Sequence, residues 1–333
     1  MPRARSRNDT PGLNLRQLET FVKVAELGSF SKAALILNIA QPALSRHVRL
    51  LETELRENLL LRTGRGVVLT EAGKRLYEHS IGVLHLLARA REDLVASRGE
   101  PTGHIVIGLP PSIGRLLTLP LVEAFRRDLP KARLAIVEGF STHITEWIAT
   151  GRVDVGLVHN PEVQPAIETT PILQEALCLV SRAAISTGRR SRGAGKARGL
   201  EAVRLAELAR FPLAVPERSH AIRRLLETQA ALAGVKLQIA LEVSSVQSIL
   251  DLVRAGFGHA VLWRSAVSAF GDVAAFDVRP VVDPVLTSTL CIAVSAHKPA
   301  TPLMKQAQRL LRELVQRHAE GPARTAASYN KLR

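Results

Sequence analysis

The spacing of apolar residues changes once along the chain, at Glu100-Pro101-Thr102-Gly103, and that change divides what the sequence can fold into. Before it, apolar residues recur at helical spacing. After it, short apolar runs such as His104-Ile105-Val106-Ile107-Gly108 alternate with helical stretches. Proline and glycine at the change end a helix and begin an extended segment. The pattern predicts a helical N-terminal part, then an α/β part with a largely parallel sheet. With 333 residues, 46% of them hydrophobic, the chain can bury two or three ordinary cores.

Residues 1–12 are polar and basic and are expected to be disordered. Asn14-Leu15-Arg16-Gln17 offers an Asn cap with Gln at the third helical position. Leu15, Leu18, Val22 and Ala25 then make a helical stripe, which Gly28-Ser29-Phe30 ends. Ser31 is expected to cap a second helix, Lys32 to Leu37. The turn Asn38-Ile39-Ala40 leads to a third helix opening at Gln41-Pro42, where first-turn N–H groups have no intrahelical partner and proline is tolerated. This third helix has two faces. Leu44, Val48, Leu51 and Leu55 lie toward a core. Pro42, Ser45, Arg46 and Arg49 lie opposite, with Gln41 at the tip. Gln can pair with adenine, Arg can pair bidentately with guanine, and Ser can bond a base or phosphate. Leu61-Arg62-Thr63-Gly64-Arg65-Gly66-Val67-Val68-Leu69-Thr70 follows. Its two glycines in a basic turn predict a hairpin whose Arg62 and Arg65 can reach phosphate or a minor groove. On pattern alone this unit either reads DNA or is a solvated amphipathic helix beside a basic loop.

The elements Leu18-Glu19-Thr20-Phe21, Gly28 to Ala34, Ala40 to Arg46, Leu50-Leu51-Glu52 and Arg62 to Gly73 decide between these. Leu15 to Gly73 resembles the N-terminal domain of LysR-type transcriptional regulators. The resemblance implies a winged helix-turn-helix over residues 13–70 that binds double-stranded DNA. The contacts it implies come from Gln41, Pro42, Ser45 and Arg46, with a wing arginine in support. The expected DNA-contacting set is Ser31, Lys32, Gln41, Pro42, Ser45, Arg46, Arg49, Arg62 and Arg65. Leu60-Leu61 departs from the family, which usually carries an aromatic residue there.

Residues 71–100 form the expected linker, a helix from Glu71 to Arg98 of about 42 Å at ~1.5 Å per residue. Leu76, Val83, Leu87, Ala90 and Leu94 keep 3–4 spacing, with Ser80 in the same seam. Such a stripe either pairs with a second copy or packs on its own domain. The resemblance implies a linker-helix homodimer, commonly a dimer of dimers, hence a homotetramer. A two-fold protein then predicts a near-palindromic site with half-sites about one helical turn apart. RNA polymerase is a further partner if the chain activates transcription.

Residues 103–320 resemble the family's effector domain, through Leu119 to Phe125, Leu129-Pro130, Gly151 to Leu157 and Val253 to Leu262. This implies two periplasmic-binding-protein-like α/β lobes. The expected division gives lobe one residues 103–180 and 271–320 and lobe two residues 200–270. A flexible Gly/Ser/Arg-rich loop spans residues 186–199. Leu109-Pro110-Pro111-Ser112 and Ala221-Ile222-Arg223 are also similar to regulators of nitrogen assimilation control within the family. Ligands of open α/β sheets lie outside the carboxyl ends of strands, where helix N-termini favour anions. The rule selects Pro110, Ser112, Ser141, Thr142, His159, Ser219, His220 and Ser245 for a small anionic effector, a carboxylate or another anion. Trp263, where the family usually has proline, either lines the cleft or packs.

Other function classes fit poorly. The chain lacks a GxSxG elbow, an HExxH pair and a Walker A loop, so an enzyme is not expected. No cofactor or metal is expected. Cys178 and Cys291 sit apart in apolar runs and read as buried core, with a redox pair as the alternative. No apolar run reaches the ~18 residues of a membrane span, and no leader is visible, so a cytoplasmic location without a membrane partner is expected. The net charge of +15 favours polyanions, although basic runs at 182–198 and after Lys298 hold much of the excess.

Overall fold

The computed structural model describes residues 13–64, 66–95, 101–183, 202–298 and 300–319, with backbone only at 89 and 91–95. The predicted tail 1–12 and loop 186–199 lie outside the described residues. The chain divides into two units, one over residues 1–96 with Thr150–Arg152 and one over the remainder.

In the first unit, helix α1 (Leu15–Leu27) opens where the Asn14 side chain accepts from the Arg16 amide, and it stops at Gly28 with φ 58°. Leu18, Phe21, Val22 and Val24 are buried, whereas Leu15 is 42% exposed. The expected single stripe is therefore too narrow. Leu18, Phe21 and Val22 join one small core and Val24 another, so α1 buries a wide face. Helix α2 (Phe30–Leu37) begins earlier than predicted. Ser29, not Ser31, accepts from the Lys32 amide at 3.3 Å. The reason is conformational: Ser29 is extended, as a cap must be, while Ser31 already lies in the helix. Asn38 ends α2 at φ 52°, and α3 (Gln41–Leu55) follows with Pro42 in its first turn.

The hairpin of β1 (Leu60–Thr63) and β2 (Gly66–Leu69) pairs antiparallel with Thr63 opposite Gly66, and α4 (Glu71–Val95) follows. Side chains fix the base of this wing. The Glu52 carboxylate of α3 accepts from the amides of Leu59 at 2.9 Å and Leu60 at 3.2 Å. The Thr70 hydroxyl donates to the Asn58 carbonyl at 2.6 Å and accepts from the Gly73 amide at 2.9 Å. Glu52→Ala removes the acceptor of two amides and is expected to destabilise the unit by roughly 1–3 kcal/mol. Glu52→Gln keeps an acceptor oxygen and should cost less. Urea unfolding of the two variants measures the difference.

The second unit contains, in order, β3 (Gly103–Leu109), α5 (Pro111–Asp128), β4 (Ala132–Glu138), α6 (Ser141–Thr150), β5 (Val155–His159) and β6 (Ile167–Arg182). It continues with β7 (Val203–Arg204), a short 3-10 segment, β8 (Leu213–Val215), α7 (Ala221–Leu232), β9 (Ile239–Glu242) and α8 (Val246–Ala255). It closes with β10 (Ala260–Trp263), α9 (Arg264–Phe270), β11 (Phe276–Val282), β12 (Thr287–Ser295) and α10 (Pro302–Ala319). The sheet is mixed, which corrects the expectation of a largely parallel one. β4, β3 and β5 run parallel, but β12 is antiparallel to β5 and β6, and β6 is antiparallel to β10 and β11. The antiparallel centre arises because the chain crosses between lobes in extended form, outward along β6 and back along β11 and β12.

That crossing also moves the lobe boundaries. β6 pairs with β12 up to Ala176 and with β10 and β11 from Leu177 onward. Leu177, Leu179, Val180, Phe276, Val281 and Leu286 belong to the second lobe's core. The first lobe's core gathers Ile105, Ile107, Val155, Leu157, Leu290 and Ile292 with the inner faces of α5 and α10. The second lobe thus extends beyond the expected 200–270, taking about 177–180 and 271–286 from lobe one and adding 181–182, which belonged to neither. Pro171 stands inside β6 opposite Cys291, where the register shifts, an irregularity that accommodates its missing N–H.

Candidate functional site

On α3 the two predicted faces separate. Leu44, Val48 and Leu51 are buried and Leu55 is half-buried, while Gln41, Pro42, Arg46 and Arg49 are exposed and Ser45 is half-buried. Ala40 gives α3 no side-chain cap, so its N-cap residue supplies no side-chain acceptor to the first-turn N–H groups. Ser31 and Lys32 are exposed at the start of α2. Arg62 projects from β1 with its guanidinium carbon 4.9 Å from the centre of the Phe30 ring. Lys32, Arg62, Ser29 and Thr63 line one groove between the wing and the start of α2. Arg65 lies outside the described residues. At the position of the family's aromatic residue, Leu60 is shared by both small cores and Leu61 is 52% exposed.

Along α4, Leu76 packs into its own unit's core with Tyr77, Ile81 and Leu84. Ser80 is buried, and its hydroxyl donates to the Leu76 carbonyl at 2.6 Å. Val83 and Leu86 are exposed and Leu87 is half-buried, whereas the Leu94 side chain lies outside the described residues.

A cavity of about 490 Å³ opens between the lobes of the second unit. Ser112, Arg115 and Glu138 line it from the first lobe, and His220, Ser245 and Leu250 from the second. Of the residues selected from the sequence, Ser112, His220 and Ser245 come together here. The others have different surroundings. The Pro110 carbonyl accepts from the amides of Ile113 and Gly114 at the start of α5. Ser141 is buried, and its hydroxyl accepts from the His159 amide at 2.9 Å. Thr142 is exposed, with its carbonyl bonded by the Thr145 hydroxyl at 2.8 Å. Ser219 is exposed, with its carbonyl taken by the Arg224 guanidinium at 2.6 Å.

Arg115 and Glu138 escape the sequence reading. Arg115 lies one turn inside α5, beyond the strand end that the topological rule inspects. Glu138 does end β4, but an expectation of anion binding passes over an acid. The Arg115 Nε donates to the carbonyl of Ala269 in α9 at 2.8 Å, a bond from one lobe to the other.

Beside the cavity, aromatic and imidazole rings join the lobes. His159 stacks on Trp263 with ring centres 3.9 Å apart and planes at 12°. His220 lies 6.0 Å from Trp263 and meets Phe140 edge-on at 5.4 Å. Trp263 is only 2% exposed, so it packs in the core. His159 is fully buried, with Nδ1 3.4 Å from the Ser288 hydroxyl and, among the described residues, no partner for Nε2. Burial, more than the neighbouring His220, pushes His159 down to about 3. Burial chiefly, then Arg224, pushes His220 down to about 4 against the pull of Glu217. Both rings are neutral near pH 7.

Cys178 and Cys291 are buried free thiols on different strands. Cys178 faces Leu262 and Pro280, and Cys291 faces Val158 and Pro171, so the redox-pair alternative finds no geometric support. Burial raises both thiols and keeps them protonated. Among the described residues no group of His, Cys, Asp and Glu is arranged to hold a metal, and no helix is long and apolar enough to cross a membrane.

Comparison with known proteins agrees with this geometry. Residues 15–74 match the bacterial regulatory helix-turn-helix of the lysR family, and residues 98–316 match the LysR substrate binding domain. The nitrogen assimilation regulatory protein nac of Klebsiella aerogenes is 30% identical over 306 residues, covering 92% of this chain and 96% of that protein. Its namesake in Escherichia coli K12 is 28% identical, over 91% of this chain and 94% of its own. Among solved structures, full-length CbnR complexed with its target DNA superposes with a TM-score of 0.64 at 23% identity, covering 91% of this chain and all of that one. A cysteine-to-aspartate variant of full-length OxyR from Pseudomonas aeruginosa gives the same TM-score at 24% identity, covering 91% of this chain and 95% of that one. The chain belongs to the LysR family: it is a DNA-binding transcriptional regulator and not an enzyme, with a helix-turn-helix followed by a substrate-binding domain.

Proposed function

We propose that the chain regulates transcription as a homodimer or homotetramer on a near-palindromic promoter site, gated by a small carboxylate effector held between the lobes. The observation that carries the DNA half is the division of α3, with buried leucine and valine inside and Gln41, Pro42, Arg46 and Arg49 exposed outside. Gln41, Ser45 and Arg46 read bases and Arg49 steadies the helix on the duplex. Ser31, Lys32, Arg62 and Arg65 hold phosphate around them. The exposed Val83 and Leu86 of α4, continued by Leu87, supply the seam for a second copy, with Leu94 further along and Leu76 anchoring the helix to its own domain. The protein works in the cytoplasm, with RNA polymerase as a partner where it activates.

The test uses the DNA immediately upstream of the coding region. Arg46→Ala should weaken specific binding by about 1–3 kcal/mol and relax preference at one position. Arg62→Ala should weaken binding evenly across sequences and reduce the salt slope by about one. Unchanged operator affinity in Arg46→Ala would remove α3 from base reading. For the gate, Ser112, His220 and Ser245 contact the effector, and DNA affinity measured with and without small carboxylates reports it.

A further inference from the structure

We propose that the interlobe cavity selects a ligand carrying an ammonium beside its carboxylate, of the amino-acid class, with Arg115 and Glu138 as the two recognition residues. This rests on reading the cavity as the effector site. Arg115 and Glu138 line the same cavity of about 490 Å³ with opposite charges. Among the described residues no ion pair joins them, so neither charge is spent on the other. Arg115 commits its Nε to the Ala269 carbonyl at 2.8 Å, which anchors the guanidinium across the lobes and leaves its terminal N–H groups for a carboxylate. The Ser112 and Ser245 hydroxyls line the same cavity and add donors. Ser245 caps α8, accepting from the Ser248 amide at 3.4 Å, so its proton remains free to donate.

Glu138 sits beside a glycine. Its carboxylate lies against the α-carbon of Gly114 in the first turns of α5, where any β-carbon would overlap Oε1. Glycine at 114 therefore lets an acid of the protein itself occupy the side of the cavity next to a helix N-terminus. A second carboxylate on the ligand would meet that acid as a like charge, and an ammonium would meet it as a partner. His220 contributes no competing positive charge, since burial keeps its ring neutral, and its Nδ1 accepts from the Ile222 amide at 3.2 Å. A cavity with one cation, one anion and neutral donors is complementary to a zwitterion, and it rejects dicarboxylates by repulsion.

Calorimetry on the full-length protein tests this with three sets of probes: L-amino acids, the matched monocarboxylates that lack the amino group, and dicarboxylates such as succinate. The expected result is amino-acid binding at least about tenfold tighter than the matched carboxylate. Glu138→Gln should erase that difference and relieve the penalty on dicarboxylates. Arg115→Met should weaken both classes, and Gly114→Ala, by displacing Glu138, should mimic Glu138→Gln. Thermal unfolding of each variant shows whether the domain is intact. Carboxylates binding as tightly as amino acids, or a preference that survives Glu138→Gln, would overturn the zwitterion while leaving the carboxylate gate standing. Silence across all three sets would overturn both.

Discussion

Replacing Gly73 by alanine should abolish specific DNA binding while residues 103–319 stay folded. Gly73 sits in the first turn of α4, against the residue that precedes the wing's first strand. A β-carbon there would overlap the Leu59 carbonyl oxygen, stand 3.0 Å from the Leu59 carbonyl carbon and press on the Leu69 side chain at 3.1 Å. The obstacle is backbone, and that backbone cannot give way cheaply. Leu59 is buried, its amide is bonded by Glu52, and its carbonyl accepts from the Thr70 amide at 3.0 Å. Moving it breaks those bonds or shifts α4 off the core that Leu76 enters. Overpacking against fixed backbone costs about 3 kcal/mol or more, a large share of a small domain's stability. Gly64→Ala, at the wing tip, is the control, because nothing lies within 4 Å of its added carbon. Fluorescence anisotropy on upstream DNA reads binding, and hydrogen exchange over residues 15–74 locates the damage. Wild-type affinity and protection in Gly73→Ala would show that α4 and the wing are not locked as described.

What can be read from the sequence follows how local each feature is. The face division of α3 is set by 3.6-residue spacing within one helix, and the structure buries Leu44, Val48 and Leu51 and exposes Pro42, Arg46 and Arg49, with Leu55 and Ser45 half-buried. The cap of α2 lies two residues before the expected one, because Ser29 and Ser31 both satisfy the composition of a cap and only backbone conformation separates them. β6 is invisible for a different reason. Its Glu168-Thr169-Thr170-Pro171 segment has no apolar run and contains a proline, and its strand state comes from pairing with β12, far along the chain. The lobe boundary inherits that problem, since β6 changes lobe when it changes partner. In the cavity, Ser112, His220 and Ser245 follow from a rule about strand ends. Arg115 lies one turn beyond those ends, and Glu138, although it ends β4, is an acid where an anion is expected. The stacking of His159 on Trp263 likewise joins distant strands, and no spacing announces it.

Lowering the pH from 7 toward 4 should destabilise the two-lobed unit, with His159 as the main titrating group. An unfolded histidine titrates near 6.5. In the folded chain burial holds His159 at about 3 and His220 at about 4. The folded state therefore binds fewer protons than the unfolded state throughout this interval. Stability is complete above pH 6.5, falls as the pH drops, and has lost both contributions once the pH passes the folded values of about 4 and about 3. Each pKa unit corresponds to about 1.4 kcal/mol, so His159 alone accounts for several kcal/mol at the acid end. Glu175 works in the opposite direction. Burial raises its carboxyl, against the hydrogen bonds from Ser265, so protonation there favours the folded state and offsets part of the loss. His159→Phe isolates the imidazole. A phenyl ring keeps the stack on Trp263 and replaces an Nε2 that has no hydrogen-bond partner among the described residues, at the cost of the long contact to Ser288. Its urea midpoint should match or exceed wild type at pH 7, and its advantage should widen at pH 5 and again at pH 4. Parallel pH profiles for the two proteins would show that the stacked imidazole is not what makes this unit acid-sensitive.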